Sequence, residues 1–247
     1  MVYVSTHAGK RHSISEDTVL VGTEIVSDSS GAFSLPESGF VCVADGVGGN
    51  RGGDQASQYV LGALAEWKND ADESLKDFLV KVNDNLIAYA SEDGSASTMA
   101  TTLTGILVRN NGCILIHVGN TRAYIKQGKY LKQVSSDHTT YNWLMSSGQF
   151  DAANSCNKNE ITNCFGGNNP NLLAKLFISE FPVFSLALLT SDGVHEYVDL
   201  DTLEAIITGE GTYMDKCNEI ILRATEAGSE DDLSVVIICP LDGSEGS

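Results

Sequence analysis

Proline is scarce in this chain, 4 in 247 residues, and no Pro-, Ser- or Gly-rich stretch interrupts the interior to mark a linker. With 42% hydrophobic residues, this excludes a disordered chain and predicts one globular domain over 1–241 with a short low-complexity tail, 242–247. Apolar runs of ~20 residues are also absent, and Lys10 and Arg11 follow no apolar stretch, so neither a membrane span nor a secretory signal is predicted. The expected location is cytoplasmic. Basic charge is short: 15 Lys and Arg against 33 Asp and Glu leave a formal net charge of -18, which repels nucleic acid and anionic membranes alike. The 6 cysteines form no CxxC pair, and Cys42, Cys113 and Cys239 lie in apolar runs where cysteine acts as a small hydrophobe, which predicts reduced thiols. The 5 histidines form neither HxH nor HExxH, the spacings that zinc favours.

What the chain does have is aspartate at the ends of apolar runs. Phe40-Val41-Cys42-Val43-Ala44 stops at Asp45-Gly46-Val47-Gly48-Gly49, and Leu186-Ala187-Leu188-Leu189-Thr190 stops at Ser191-Asp192-Gly193. Asp231-Asp232 precedes the run from Leu233 to Cys239, and Asp17 precedes Thr18. Residues 18–26, 40–44, 183–190 and 233–239 read as strands, rich in β-branched and apolar types. Helical spacing of apolar residues predicts helices over 54–69, 74–91, 201–208 and 213–227, with Ser74 and Asp77 as an N-terminal cap and Gly228 as a C-terminal stop. Two hairpins are expected in the centre, 102–109 with 113–118 across Asn110-Asn111-Gly112, and 123–126 with 130–134 across Gln127-Gly128-Lys129. Residues 141–170, rich in Asn, read as an irregular insertion. Strands in hairpins with helical pairs between them predict an α+β fold, a sheet sandwich covered by helices.

Asp45 and Asp192 close strands whereas Asp17 and Asp231 open them, so antiparallel pairing brings these ends together. Carboxylates on one edge repel and are raised in pKa unless cations hold them, which points to a site for several metal ions. Oxygen donors favour magnesium or manganese, and the glycine after Asp45 leaves its carbonyl free to serve as a ligand. A phosphate-cradling loop is the rival reading for Gly46, Gly48, Gly49, Gly52 and Gly53. No Gly-Lys-Ser/Thr follows them, the spacing misses GxGxxG, and Asp45 would face an anion.

Taken in order, the motifs resemble the metal-dependent protein serine/threonine phosphatases of the 2C type, above all the compact bacterial members. The segments are Ser15-Glu16-Asp17, Asp45-Gly46-Val47-Gly48-Gly49 through Asp54-Gln55-Ala56-Ser57, Thr98-Met99-Ala100-Thr101-Thr102, Val118-Gly119-Asn120-Thr121-Arg122, Ser136-Asp137-His138, Ser191-Asp192-Gly193 and Asp231-Asp232-Leu233-Ser234-Val235. The resemblance implies a four-layer αββα sandwich of two antiparallel sheets, and a pair of Mn2+ or Mg2+ ions bridged by Asp45. Asp192 and Asp231 would complete one metal's shell. Glu16 and the Gly46 carbonyl, with Asp17 close by, would serve the other largely through waters. A metal-bridged hydroxide would attack phosphorus in line, without a phosphoenzyme. The partner implied is a phosphorylated protein, bound by a monomer, and residues 141–170 take the place of the family's flap.

The chain departs from that pattern at four places. His12 stands where the family has the arginine that holds the substrate phosphate, which predicts weaker or pH-sensitive binding unless Lys10 or Arg11 substitutes. Asn120 replaces an aspartate that helps bind a third ion, and a neutral amide is a poor cation ligand. Val47 replaces a histidine proposed as general acid in eukaryotic members, leaving that role to another donor such as water. Asp232 replaces the usual Asn beside Asp231. Arg122 either orients carboxylates or is a paired strand-end arginine, and His138 and His195 read as structural. Two rivals to a protein phosphatase remain from sequence, a pseudophosphatase that binds phosphoproteins without turnover and a phosphatase of small metabolites.

Overall fold

The computed structural model describes residues 1–47, 52–68, 74–93 and 99–240. Gly48 and Gly49, Thr98 and the predicted tail 242–247 lie outside the described residues. Among the described residues are fourteen strands: β1 (Val2–His7), β2 (Thr18–Val21), β3 (Glu24–Val26), β4 (Ser29–Phe33), β5 (Gly39–Ala44), β6 (Ala100–Thr101), β7 (Leu103–Arg109), β8 (Gly112–Val118), β9 (Arg122–Gln127), β10 (Tyr130–Gln133), β11 (Phe165–Gly166), β12 (Phe177–Phe181), β13 (Ala187–Thr190) and β14 (Leu233–Ile238). The helices are α1 (Gly53–Ala65), α2 (Leu75–Asp93), α3 (Thr140–Ser146), α4 (Phe150–Ser155), α5 (Asp192–His195), α6 (Leu200–Thr208) and α7 (Tyr213–Glu226).

Two six-stranded sheets run β10-β9-β13-β14-β1-β4 and β12-β8-β7-β5-β2-β3, with the strand pairs antiparallel. The sheets face each other through Val4, Val19, Val41, Val43, Ile106, Leu189 and Val236. Outside the second sheet lie α1 and α2, meeting Phe40, Cys42 and Ala44 through Val60, Leu64, Leu79 and Leu86. Outside the first lie α6 and α7, covering Leu188, Val235 and Ile237 with Leu203, Ile207 and Ile220. This is the expected four-layer αββα sandwich. The apolar runs at 40–44 and 233–238 follow from it, because side chains alternate faces along a strand and each of these strands has a core on both.

Several expectations are sharpened. The run 18–26 is two strands rather than one: Gly22, at φ +64, turns the chain between β2 and β3, and Val19 then pairs with Val26. β-branched residues on both sides hid a turn that glycine's freedom in the left-handed region allows. The strand expected at 183–190 is confined to 187–190, the helix expected from 54 ends at Ala65, and the sequence pattern did not reveal β1, inside the first sheet, or the edge strands β4 and β12. Both hairpins form, with Arg109 opposite Gly112 and Gln127 opposite Tyr130. Ser74 and Asp77 make the predicted cap, Asp77 N–H to Ser74 Oγ at 3.1 Å. Gly228 ends α7 in a Schellman arrangement, with Ser229 N–H bonded to Ala224 C=O at 3.0 Å. Residues 141–170 form α3, α4, a short 3-10 turn beginning at Pro170 and β11, which pairs with β6.

Candidate metal centre

Strand register collects the acids. Thr18 pairs with Ala44, so Asp17 and Asp45 are neighbours at one end of the second sheet. Thr190 pairs with Val235 and Ser191 N–H bonds Ser234 C=O, which sets Asp192 beside Asp231 and Asp232 at the end of the first. The Asp45 backbone is pinned by the β6–β7 link: its N–H donates to Thr102 Oγ1 at 3.1 Å, and its C=O accepts from Thr102 N–H at 2.8 Å and Thr101 Oγ1 at 2.9 Å. The turn after it closes on Glu16, whose C=O accepts from Gly46 N–H at 3.1 Å. A Cβ on Gly53 would lie 2.7 Å from Glu16 Cδ and one on Gly46 2.8 Å from Glu16 Cβ, so both glycines make room for this side chain.

Burial and mutual repulsion dominate the electrostatics of the innermost carboxylates. Burial first, then the charges of Asp192, Asp17 and Asp231, raise Asp45 well above the usual carboxylate range, and it shares a hydrogen bond with Asp192. Asp192 is raised by burial and by Asp231, partly offset by the Asn120 amide. Asp17, 1% exposed, is raised well above its ordinary value by burial, which outweighs the nearby Ser191 and Ser234 hydroxyls. Among the described residues, neither of its carboxylate oxygens nor Glu16 Oε2 has a hydrogen-bond partner. Orphaned buried oxygens from an all-oxygen donor set fit hard divalent cations, so these residues suit magnesium or manganese.

The acids border a cavity of about 560 Å³, lined by Arg11, His12, Asp45, Gly46, Asp192 and Asp231, and on its far side by Asn157, Asn159 and Ile161 of the insertion. Arg11 reaches Asp231 at 3.5 Å and Glu230 at 3.7 Å from the surface. His12 Nδ1 donates to Asp232 Oδ2 at 3.0 Å, and the ligand-type atoms of His12, Asp231 and Asp232 lie within 4.8 Å of one another. The His12 pKa is lowered by burial but raised overall by its bond to Asp232 and the charges of Asp232, Glu16 and Asp231.

Asn120 sits at the rim of the acids, its Nδ2 donating to Asp192 Oδ2 at 2.8 Å while its buried Oδ1 has no partner among the described residues. Arg122 resolves as a paired arginine, gripping Asp137 at 2.6, 3.0 and 3.1 Å. The other histidines serve the scaffold: His195 Nδ1 bonds Thr190 Oγ1 at 2.8 Å and His138 Nδ1 accepts from Gly119 N–H at 3.2 Å. No sequence signal marked Thr101 and Thr102 as anchors of Asp45, or Asp232, noted only as a replacement for Asn, as the hydrogen-bonding hub of this end.

The protein phosphatase 2C family model matches residues 24–233. The serine/threonine phosphatase stp of Listeria monocytogenes is 28% identical over 224 residues, covering 85% of this chain and 88% of that protein. The serine/threonine protein phosphatase PstP of Mycobacterium tuberculosis is 30% identical over 217 residues, covering 83% of this chain and 41% of the longer relative. Among solved structures, a bacterial serine phosphatase superposes with a TM-score of 0.81 at 24% identity over 99% of each chain. The catalytic domain of PstP in complex with two manganese ions superposes with a TM-score of 0.76 at 22% identity, over 98% of this chain and 100% of that one. Because the family model matches most of the chain, including Asp45, Asp192 and Asp231, the chain belongs to the protein phosphatase 2C family.

Proposed function

We propose that this protein is a metal-dependent protein phosphatase that hydrolyses phosphoserine and phosphothreonine in other proteins. The observation that carries the reading is the convergence of Asp45, Asp192 and Asp231 from two sheets on one cavity, with Asp17 buried beside Asp45 and its oxygens unpaired among the described residues. Asp45 would bridge two cations, Asp192 and Asp231 would complete one shell, and Glu16, the Gly46 carbonyl and Asp17 would serve the other. Manganese or magnesium bound there supplies the water activation and charge neutralisation that phosphoryl transfer needs.

The remaining work falls to the chain itself. Asp45, held by three hydrogen bonds through its backbone, keeps the acidic array in register without relying on a flexible loop. His12 and Arg11, on the cavity wall, face the substrate phosphate. Their positive charge attracts the anion that the acids would otherwise repel. Asn120 neutralises nothing and donates to Asp192, which supports a two-ion site without the third ion. The segment containing Asn157, Asn159 and Ile161 forms the flap-like wall that meets the protein around the phosphorylated residue, and the chain's net charge of -18 disfavours nucleic acid as a partner.

The test is hydrolysis of an aryl phosphate and of a phosphothreonine peptide with added manganese, against Asp45→Ala. We expect metal-dependent release of phosphate by the native protein and a loss of at least about a thousandfold in the variant, since the bridging charge is gone. Equal rates would sink the reading.

A further inference from the structure

One buried carboxylate at this end of the sandwich is not in the proposed ligand set, yet it bonds both His12 and the Glu16 backbone. Asp232 is 4% exposed. A buried charge is tolerated only when its lone pairs are satisfied, and three donors of the 9–16 segment satisfy this one. Gly9 N–H reaches Oδ1 at 2.7 Å, Glu16 N–H reaches Oδ2 at 2.7 Å, and His12 Nδ1 reaches Oδ2 at 3.0 Å. Its own backbone N–H donates to Asp231 Oδ1 at 3.0 Å.

We infer that Asp232 is a positioning residue that fixes His12 towards the substrate phosphate and Glu16 towards the metal pocket through a single carboxylate. The inference rests on the phosphatase reading above. A carboxylate accepts and does not donate, so Nδ1 of His12 must carry the hydrogen, which leaves Nε2 as the ring's free nitrogen in a residue that lines the cavity. The same carboxylate oxygen holds the Glu16 backbone, so the ring and the backbone that carries the Glu16 side chain share one anchor. Beside His12, an asparagine, the family's usual residue here, would satisfy only part of this donor set. Its one oxygen would keep Gly9, and its NH2 would then confront the Glu16 N–H, a donor against a donor.

The test compares Asp232→Asn, His12→Asn and the double variant by calorimetric manganese titration, by KM and kcat on a phosphothreonine peptide at saturating manganese, and by thermal melting. Asp232→Asn is expected to weaken manganese binding about tenfold and raise KM about tenfold, with kcat within about threefold of the native value. In His12→Asn the new amide can still donate to Asp232 in place of Nδ1. KM should therefore rise by a similar factor while manganese affinity stays within about twofold. In the double variant KM should be no higher than in either single variant, because the ring that Asp232 orients is already absent.

Unchanged KM and manganese affinity in a folded Asp232→Asn protein would overturn the inference, as would KM effects that multiply in the double variant. If Asp232→Asn does not fold, His12→Asn decides: raised KM with native manganese affinity supports the shared clamp, and native KM overturns it. A native protein that binds manganese but hydrolyses no phosphopeptide defeats the phosphatase reading instead, and the Asp232 clamp is then judged on manganese affinity alone.

Discussion

Single residues at this site do work that their types alone do not announce. Asp17, Asp45 and Asp192 are ordinary aspartates whose acidity is changed by burial and by one another, a repulsion that the proposed cations would relieve. Asn120 shows the opposite case. Its Nδ2 supplies a donor to Asp192 at 2.8 Å, standing where a carboxylate would demand a further ion. Asn120→Asp removes that donor and sets two carboxylates face to face, so calorimetry should register an additional, weak manganese-binding event. The metal-free variant should also melt lower by a few degrees, the scale of about 1 kcal/mol of like-charge contact in a domain of this size. Unaltered stoichiometry in the titration would contradict this account.

Elements matter through their junctions. The start of α1 lies against the turn after β5, and Glu16 fills the space that Gly46 and Gly53 leave. The two glycines fail differently when filled. A methyl on Gly46 would meet the Gly53 backbone at 2.5 and 2.6 Å, which cannot yield without moving the helix, whereas one on Gly53 would meet mainly the movable end of the Glu16 side chain at 2.7 Å. Gly46→Ala should therefore cost about 1–3 kcal/mol of stability, read as a lower melting temperature. Gly53→Ala should melt close to the native protein but bind manganese about tenfold more weakly, because Glu16 is displaced; native affinity would show that Glu16 does not serve the metal. The strand that the sequence ran together at 18–26 belongs to this scale as well. Local β propensity on both sides of Gly22 said strand, and only the pairing of β3 on β2 exposed the turn.

At the scale of the whole molecule the acids act against the fold that assembles them. Their folded-state pKa values are raised, so the metal-free native state binds more protons than the unfolded chain between the ordinary carboxylate range and those raised values, and stability falls as pH rises through that window. Melting in the presence of a chelator should therefore occur at higher temperature near about pH 5.5 than near about pH 7.5, and manganese should stabilise most at the higher pH, where it binds the ionised site. A melting temperature that rises with pH in the chelated protein would refute this. The sequence by itself determined the fold class and the acid array. Runs buried on both faces are apolar throughout, and an aspartate that ends such a run is visible without coordinates. Only the tertiary structure decided which acid touches which partner: Arg122 turned to Asp137, Asp45 was pinned by Thr101 and Thr102, and Asp232 gathered Gly9, His12 and Glu16. Those contacts join residues as far apart as His12 and Asp232, and antiparallel register across two sheets, which no local pattern encodes, is what brings them within hydrogen-bonding distance.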